Sequence, residues 1–153
     1  MSIGTMTLHR FNGDEIFPVE KAIVECFKNE EEVSLTFRAD ASEKPIKTLP
    51  DTETLKAHPF YEVILSSKSF DIHNFVGNRY ELASGYDEET DEYLTDFYYC
   101  EHEVIDDNTI EVVEQHGDLF KIRMIGSTID VNYYDGSKPQ TKVIVEALFK
   151  IEQ

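Results

Sequence analysis

Tryptophan is absent from this chain of 153 residues, and cysteine occurs only twice, at Cys26 and Cys100. Two cysteines cannot build a disulfide framework, so stability has to come from an ordinary core. The thiols read as reduced, small apolar residues of a cytoplasmic protein. Basic residues are scarce as well: 14 Lys plus Arg face 31 Asp plus Glu, for a formal net charge of −17. A field of that sign repels phosphate backbones and anionic membrane surfaces, and it favours encounter with basic partners. Direct nucleic-acid binding is therefore disfavoured. No run approaches the roughly 18 apolar residues of a membrane span, and residues 1–15 lack the cationic start and apolar stretch of a signal peptide.

Several chemical signatures are missing too. There is no phosphate-cradling GxGxxG or GxxxxGK[ST], and no CxxC or HxxxH spacing. Ile125-Gly126-Ser127-Thr128-Ile129 lacks the second glycine of a nucleophile elbow. The five histidines, His9, His58, His73, His102 and His116, show no ligand spacing. These absences lean away from an enzyme and from a bound cofactor.

What is present is strand pattern. Phe120, Ile122 and Met124 alternate with Lys121 and Arg123, and Val143, Val145, Ala147, Phe149 and Ile151 repeat the period of two. Turn residues punctuate the segment 109–151 and its approach, at Asp106-Asp107-Asn108, His116-Gly117-Asp118, Gly126-Ser127 and Asp135-Gly136-Ser137-Lys138-Pro139. Strands this close together are antiparallel neighbours. Earlier, residues 6–11 form a strand ended by Asn12-Gly13-Asp14, and residues 33–37 form another. Residues 18–28 fit either a helix or a hairpin arm, and the β character of the rest favours the hairpin. Residues 51–57 suit one helical turn capped by Asp51 or Thr52. Residues 60–70, 79–84 and 93–105 read as strands, the last a long one. Residues 71–78 read as a loop.

The expectation is one mostly-β domain over 1–153: an antiparallel meander forming a β-sandwich or barrel of about nine short strands, with at most one or two short helices. A chain of this length buries roughly 68–70% of its unfolded surface, enough to fold unaided.

Three candidate sites follow. Cys100 and His102 would share one face of the long strand, and a three-residue turn at 106–108 would pair His102 with Val112 and Cys100 with Glu114. Cys100, His102 and Glu114 would then offer zinc-type ligands or a Cys/His nucleophile pair. Asp87, Glu89 and Asp91 alternate like calcium ligands, but the glycine and glutamate that an EF-hand needs are here Glu92 and Tyr98, so a solvated loop fits better. Tyr86, Asp87, Glu89 and Asp91, with Tyr133, Tyr134 and Asp135, have the tyrosine-and-acid composition of a protein-binding rim. The leading reading is a non-enzymatic acidic interaction domain, monomer or homodimer, that binds a basic protein partner. A β-barrel holding a small apolar ligand and a metal- or Cys/His-dependent enzyme are the alternatives.

Overall fold

The computed structural model describes residues 3–153; residues 1 and 2 lie outside the described residues. Strands take 58% of the chain, which makes the class mostly β. In chain order they are β1 (Gly4–Arg10), β2 (Gly13–Lys28), β3 (Val33–Ala41), β4 (Phe60–Ser67), β5 (Arg79–Leu82), β6 (Tyr86–Asp87), β7 (Glu92–Tyr93), β8 (Thr95–Tyr99), β9 (Glu101–Glu103), β10 (Asp106–His116), β11 (Leu119–Thr128) and β12 (Thr141–Glu152). One 3-10 turn, Ile72–Asn74, interrupts the loop after β4.

Ten strands form one sheet in the order β5-β10-β11-β12-β1-β2-β3-β4-β8-β9, and β6 and β7 make a separate hairpin. The edges β5 and β9 do not pair, so the sheet is not a closed barrel. It curls into a sandwich-like body whose two halves share one core. Phe37 of β3 packs on Tyr80 of β5, with ring centroids 5.8 Å apart. Tyr61 of β4 donates a buried hydrogen bond of 2.6 Å to Asn108 Oδ1 of β10. Burial raises the Tyr61 phenol above its ordinary value, which keeps it a donor.

The alternation read from sequence is what builds this core. Ile122, Met124, Val143, Val145 and Phe149 are all fully inward, and Lys121 and Lys150 point out. Residues 18–28 are a strand, the distal part of β2, paired with β3 from Val19↔Ala41 to Lys28↔Val33. The strand starts earlier than expected, at Gly13, and carries Pro18 opposite Thr5. β12 reaches past the start of β1 and pairs directly with β2 in parallel, Lys150↔Ile23 to Glu152↔Glu25.

Four local readings need correction. Gly126-Ser127 is no turn, because β11 runs through it; a methyl on Gly126 would stand 2.5 Å from the Tyr61 hydroxyl, so the glycine makes room for that side chain. Asp106 to Asn108 is the bulged start of β10, with Asp107 at φ 53, rather than a three-residue turn. Residues 93–105 are not one long strand: the chain reverses at Cys100, φ 61, and β8 pairs back on β9. Residues 51–57 form no helix but successive turns, with Thr52 N–H on Leu49 O and Leu55 N–H on Thr52 O.

Gly4 tests the close approach of β1 and β12, since a methyl there would lie 2.1 Å from the Glu146 carbonyl oxygen. Gly4→Ala should lower stability by about 1–3 kcal/mol, read as a fall in the urea midpoint with an unchanged slope. An unaltered midpoint would show that the strands part without penalty.

Candidate functional site

The densest polar constellation is internal. β1 places Met6, Leu8 and Arg10 on the core face, and β2 places Glu15, Phe17 and Val19 there. Arg10 and Glu15 are thus charges of opposite sign at core-phase positions on the two arms of one hairpin. The Arg10 guanidinium is fully buried and uses all five of its N–H groups. Nε and Nη2 donate to Asp130 at 2.9 Å each, Nη1 and Nη2 donate to Asp51 at 2.9 and 2.8 Å, and Nη1 also donates to Glu15 at 3.2 Å. The carboxylates have further donors: Thr52 Oγ1 to Glu15 at 2.5 Å, Tyr99 Oη to Glu15 at 3.1 Å and Thr141 Oγ1 to Asp130 at 2.8 Å.

Hydrogen bonds from Arg10 hold Asp51 below its ordinary value. Burial pushes Asp130 up, but Arg10, Thr141 and the Asn132 N–H outweigh it and leave that group low as well. Every buried side-chain polar atom among the described residues has a partner. The hub is fully satisfied and holds the connections 42–59 and 129–140 against the sheet.

A second polar cluster lies on the outward face of β3, β4 and β8 and the neighbouring β9. Outward positions put Phe60 and Glu62 on β4 beside Asp96 and Tyr98 on β8. Phe60 and Tyr98 stack at 5.5 Å, and His102 lies 4.9 Å from Tyr98 with Nδ1 3.0 Å from Asp96. Arg38 sits 3.9 Å over the Phe60 ring, bonds Asp40 at 3.0 Å and approaches Glu62 at 3.8 Å. Burial raises Glu62 above its ordinary value, and Asp96, Glu25 and Asp40 add to that while Arg38 only partly offsets it. Glu103 is raised by burial and by Glu101. A groove of about 530 Å3 opens here, lined by Glu62, Asp96, His102 and Glu103 together with Ile64, Leu94 and Val104.

The expected trio of Cys100, His102 and Glu114 is not brought together. His102 pairs with Tyr98 rather than Val112, Cys100 occupies the β8–β9 reversal rather than facing Glu114, and Glu114 on β10 bonds His116 at 3.0 Å. The Cys100 thiol is raised by burial and Glu101, the opposite of an activated nucleophile. Of the rim residues, Tyr86, Asp87, Glu89 and Asp91 belong to the β6–β7 hairpin. There Tyr86 packs on Tyr93 at 5.0 Å and donates to Asp91, and Asp87 accepts the Glu89 N–H at 3.0 Å. Tyr133, Tyr134 and Asp135 lie on the separate β11–β12 connection. Tyr133 meets Phe11 edge-on at 5.6 Å, Tyr134 donates to Tyr99 O at 3.0 Å, and Asp135 accepts the Ser137 N–H at 3.0 Å.

The interior is filled by Tyr61, Tyr99, Phe17, Phe37, Phe97 and Phe149, all essentially without exposure, where a carrier would keep space for its ligand. No helix among the described residues is long and apolar enough to cross a membrane. Comparison with known proteins finds no matching family, no similar curated protein and no similar solved structure.

Two predictions concern the hub. Arg10→Met strands three carboxylates and should lower stability by about 3–5 kcal/mol, measured by urea unfolding. Asp51 and Asp130 have folded values below 3.8, so the stability they contribute is complete above 3.8 and is lost as pH falls through the lower folded values. The urea midpoint of the native protein should drop steeply on acidification below 3.8, and that of Arg10→Met should drop less.

Proposed function

We propose that this chain is a non-enzymatic, cytoplasmic interaction domain that binds a basic protein partner through its acidic outer face. The observation that carries the reading is the under-neutralised state of that face. Glu62 and Glu103 are held above their ordinary values in the presence of Asp96, Glu25, Asp40 and Glu101, with Arg38 the one cation that lowers Glu62. Burial is the first cause of both shifts, and carboxylates desolvated beside other carboxylates lower the stability of the isolated protein and favour an incoming cation.

The β6–β7 hairpin borders the same face. Tyr93, 66% exposed, and Leu94 line the groove, which makes Tyr86, Asp87, Glu89 and Asp91 the proposed rim. Tyrosine at such a rim supplies contact area at low entropy cost. Tyr134 and Asp135 are occupied within their own connection and receive less weight. The filled interior gives the ligand-carrier reading no comparable support.

Surface-immobilised protein presented with size-matched basic, neutral and acidic proteins should retain the basic ones. Their association rate should fall about 10-fold or more between roughly 20 and 200 mM salt. Equal retention of all three classes, or a rate indifferent to salt, would contradict the proposal.

A further inference from the structure

The acidic face carries its own example of cation recognition. Arg38 lies flat on Phe60 at 3.9 Å and donates to Asp40 at 3.0 and 3.1 Å, with Glu62 3.8 Å away. A guanidinium is suited to such a place because it is planar, weakly hydrated and able to stack while it bonds a carboxylate. Beside that pair opens a groove whose lining includes Glu62, Asp96, His102 and Glu103 and no lysine or arginine. Asp96 bonds the exposed His102 at 3.0 Å and also interacts with Arg38, and no basic residue forms an ion pair with Glu103 among the described residues.

Part of the lining is apolar. Ile64 and Val104 are half-buried at the surface, and Leu94 joins them. Its backbone is held in place: Leu94 N–H bonds Gly85 O at 2.7 Å, and Leu94 O accepts from Ile64 N–H at 2.8 Å. A lining that combines aliphatic side chains with carboxylates matches a long side chain with an apolar stem and a charged head. The volume of about 530 Å3 accommodates one such side chain with its neighbouring backbone.

Resting on the function proposed above, we infer that the groove lined by Glu62, Asp96, Glu103, Ile64, Leu94 and Val104 receives an arginine side chain from the basic partner. The stem lies along the apolar residues and the guanidinium meets the carboxylates beside His102. Charge complementarity selects this occupant: three carboxylates line the groove with no lysine or arginine among the lining residues, an acidic segment would add repulsion, and a short basic side chain would not cover the apolar residues.

The test uses the full chain, 15N-labelled, titrated by NMR with a glycine- and serine-flanked peptide holding one arginine, and with its citrulline counterpart. Citrulline keeps the shape and removes the charge. The arginine peptide should shift the amides of Glu62, Ile64, Asp96, His102, Glu103 and Val104, and the citrulline peptide should bind about 10-fold more weakly. Glu62→Gln should weaken the arginine peptide about 5-fold, and Ile64→Thr should weaken it as well; Glu30→Gln, the same charge change on a distant turn, should alter binding less than about 2-fold. Glu62→Gln removes a carboxylate held above its ordinary value, so the variant should be at least as stable as the parent at neutral pH, and lost binding is not lost folding.

Shifts scattered over the acidic surface, equal binding of the two peptides, or equal effects of Glu62→Gln and Glu30→Gln would overturn the groove assignment. If basic proteins bind and these groove variants bind them normally, the groove assignment alone falls. If no basic protein binds, the functional reading falls with it.

Discussion

A single buried guanidinium governs how this sheet is finished. Arg10 emerges at the end of β1 where the hairpin turns, and its five N–H groups reach Glu15 on the next strand, Asp51 in one long connection and Asp130 in another. One cation among three carboxylates is tolerable only because Thr52, Tyr99 and Thr141 supply further donors. The consequence is geometric. Connections that would otherwise wander over the surface are fixed to the open end of the sheet, and Tyr99 on β8 is tied through Glu15 to β2.

The hub also sorts the acidity of the chain into two populations. Asp51 and Asp130 are neutralised internally and their values fall. Burial raises Glu62 on the outward face, with Asp96, Glu25 and Asp40 adding to it, and burial together with Glu101 raises Glu103. A net charge of −17 alone would speak only to solubility. On the outward face of β4 and β8, Glu62 and Asp96 lie beside Phe60, Tyr98 and His102 and next to a groove whose lining is partly apolar.

Much of the architecture was legible as period-two pattern. β11 and β12 could be read residue by residue, and the strand character of 18–28 followed from its neighbours although its spacing also suited a helix. Reversal at Cys100 was not legible, because a non-glycine residue with positive φ carries no turn signature. That misreading joined β8 to β9 and, with the turn expected at 106–108, produced the false trio of Cys100, His102 and Glu114. Gly126 misled in the other direction: glycine usually marks a turn, but here it admits a tyrosine from a strand far away in sequence. The signal for the hub was present in the pattern, since Arg10 continues the inward phase of Met6 and Leu8 and Glu15 that of Phe17 and Val19. Asp130, which belongs to no strand, had no such phase to betray it.

The division of carboxylates into a neutralised interior and an under-neutralised outer face is the claim on which the functional reading stands. Residue-specific NMR titration of the side-chain carboxyls tests it most directly. The account predicts that Asp51 and Asp130 titrate below 3.8, and that Glu62 and Glu103 titrate above 4.5. Glu62 and Glu103 titrating at or below 4.5 would mean that the face is already neutralised by its own residues, and would contradict the account.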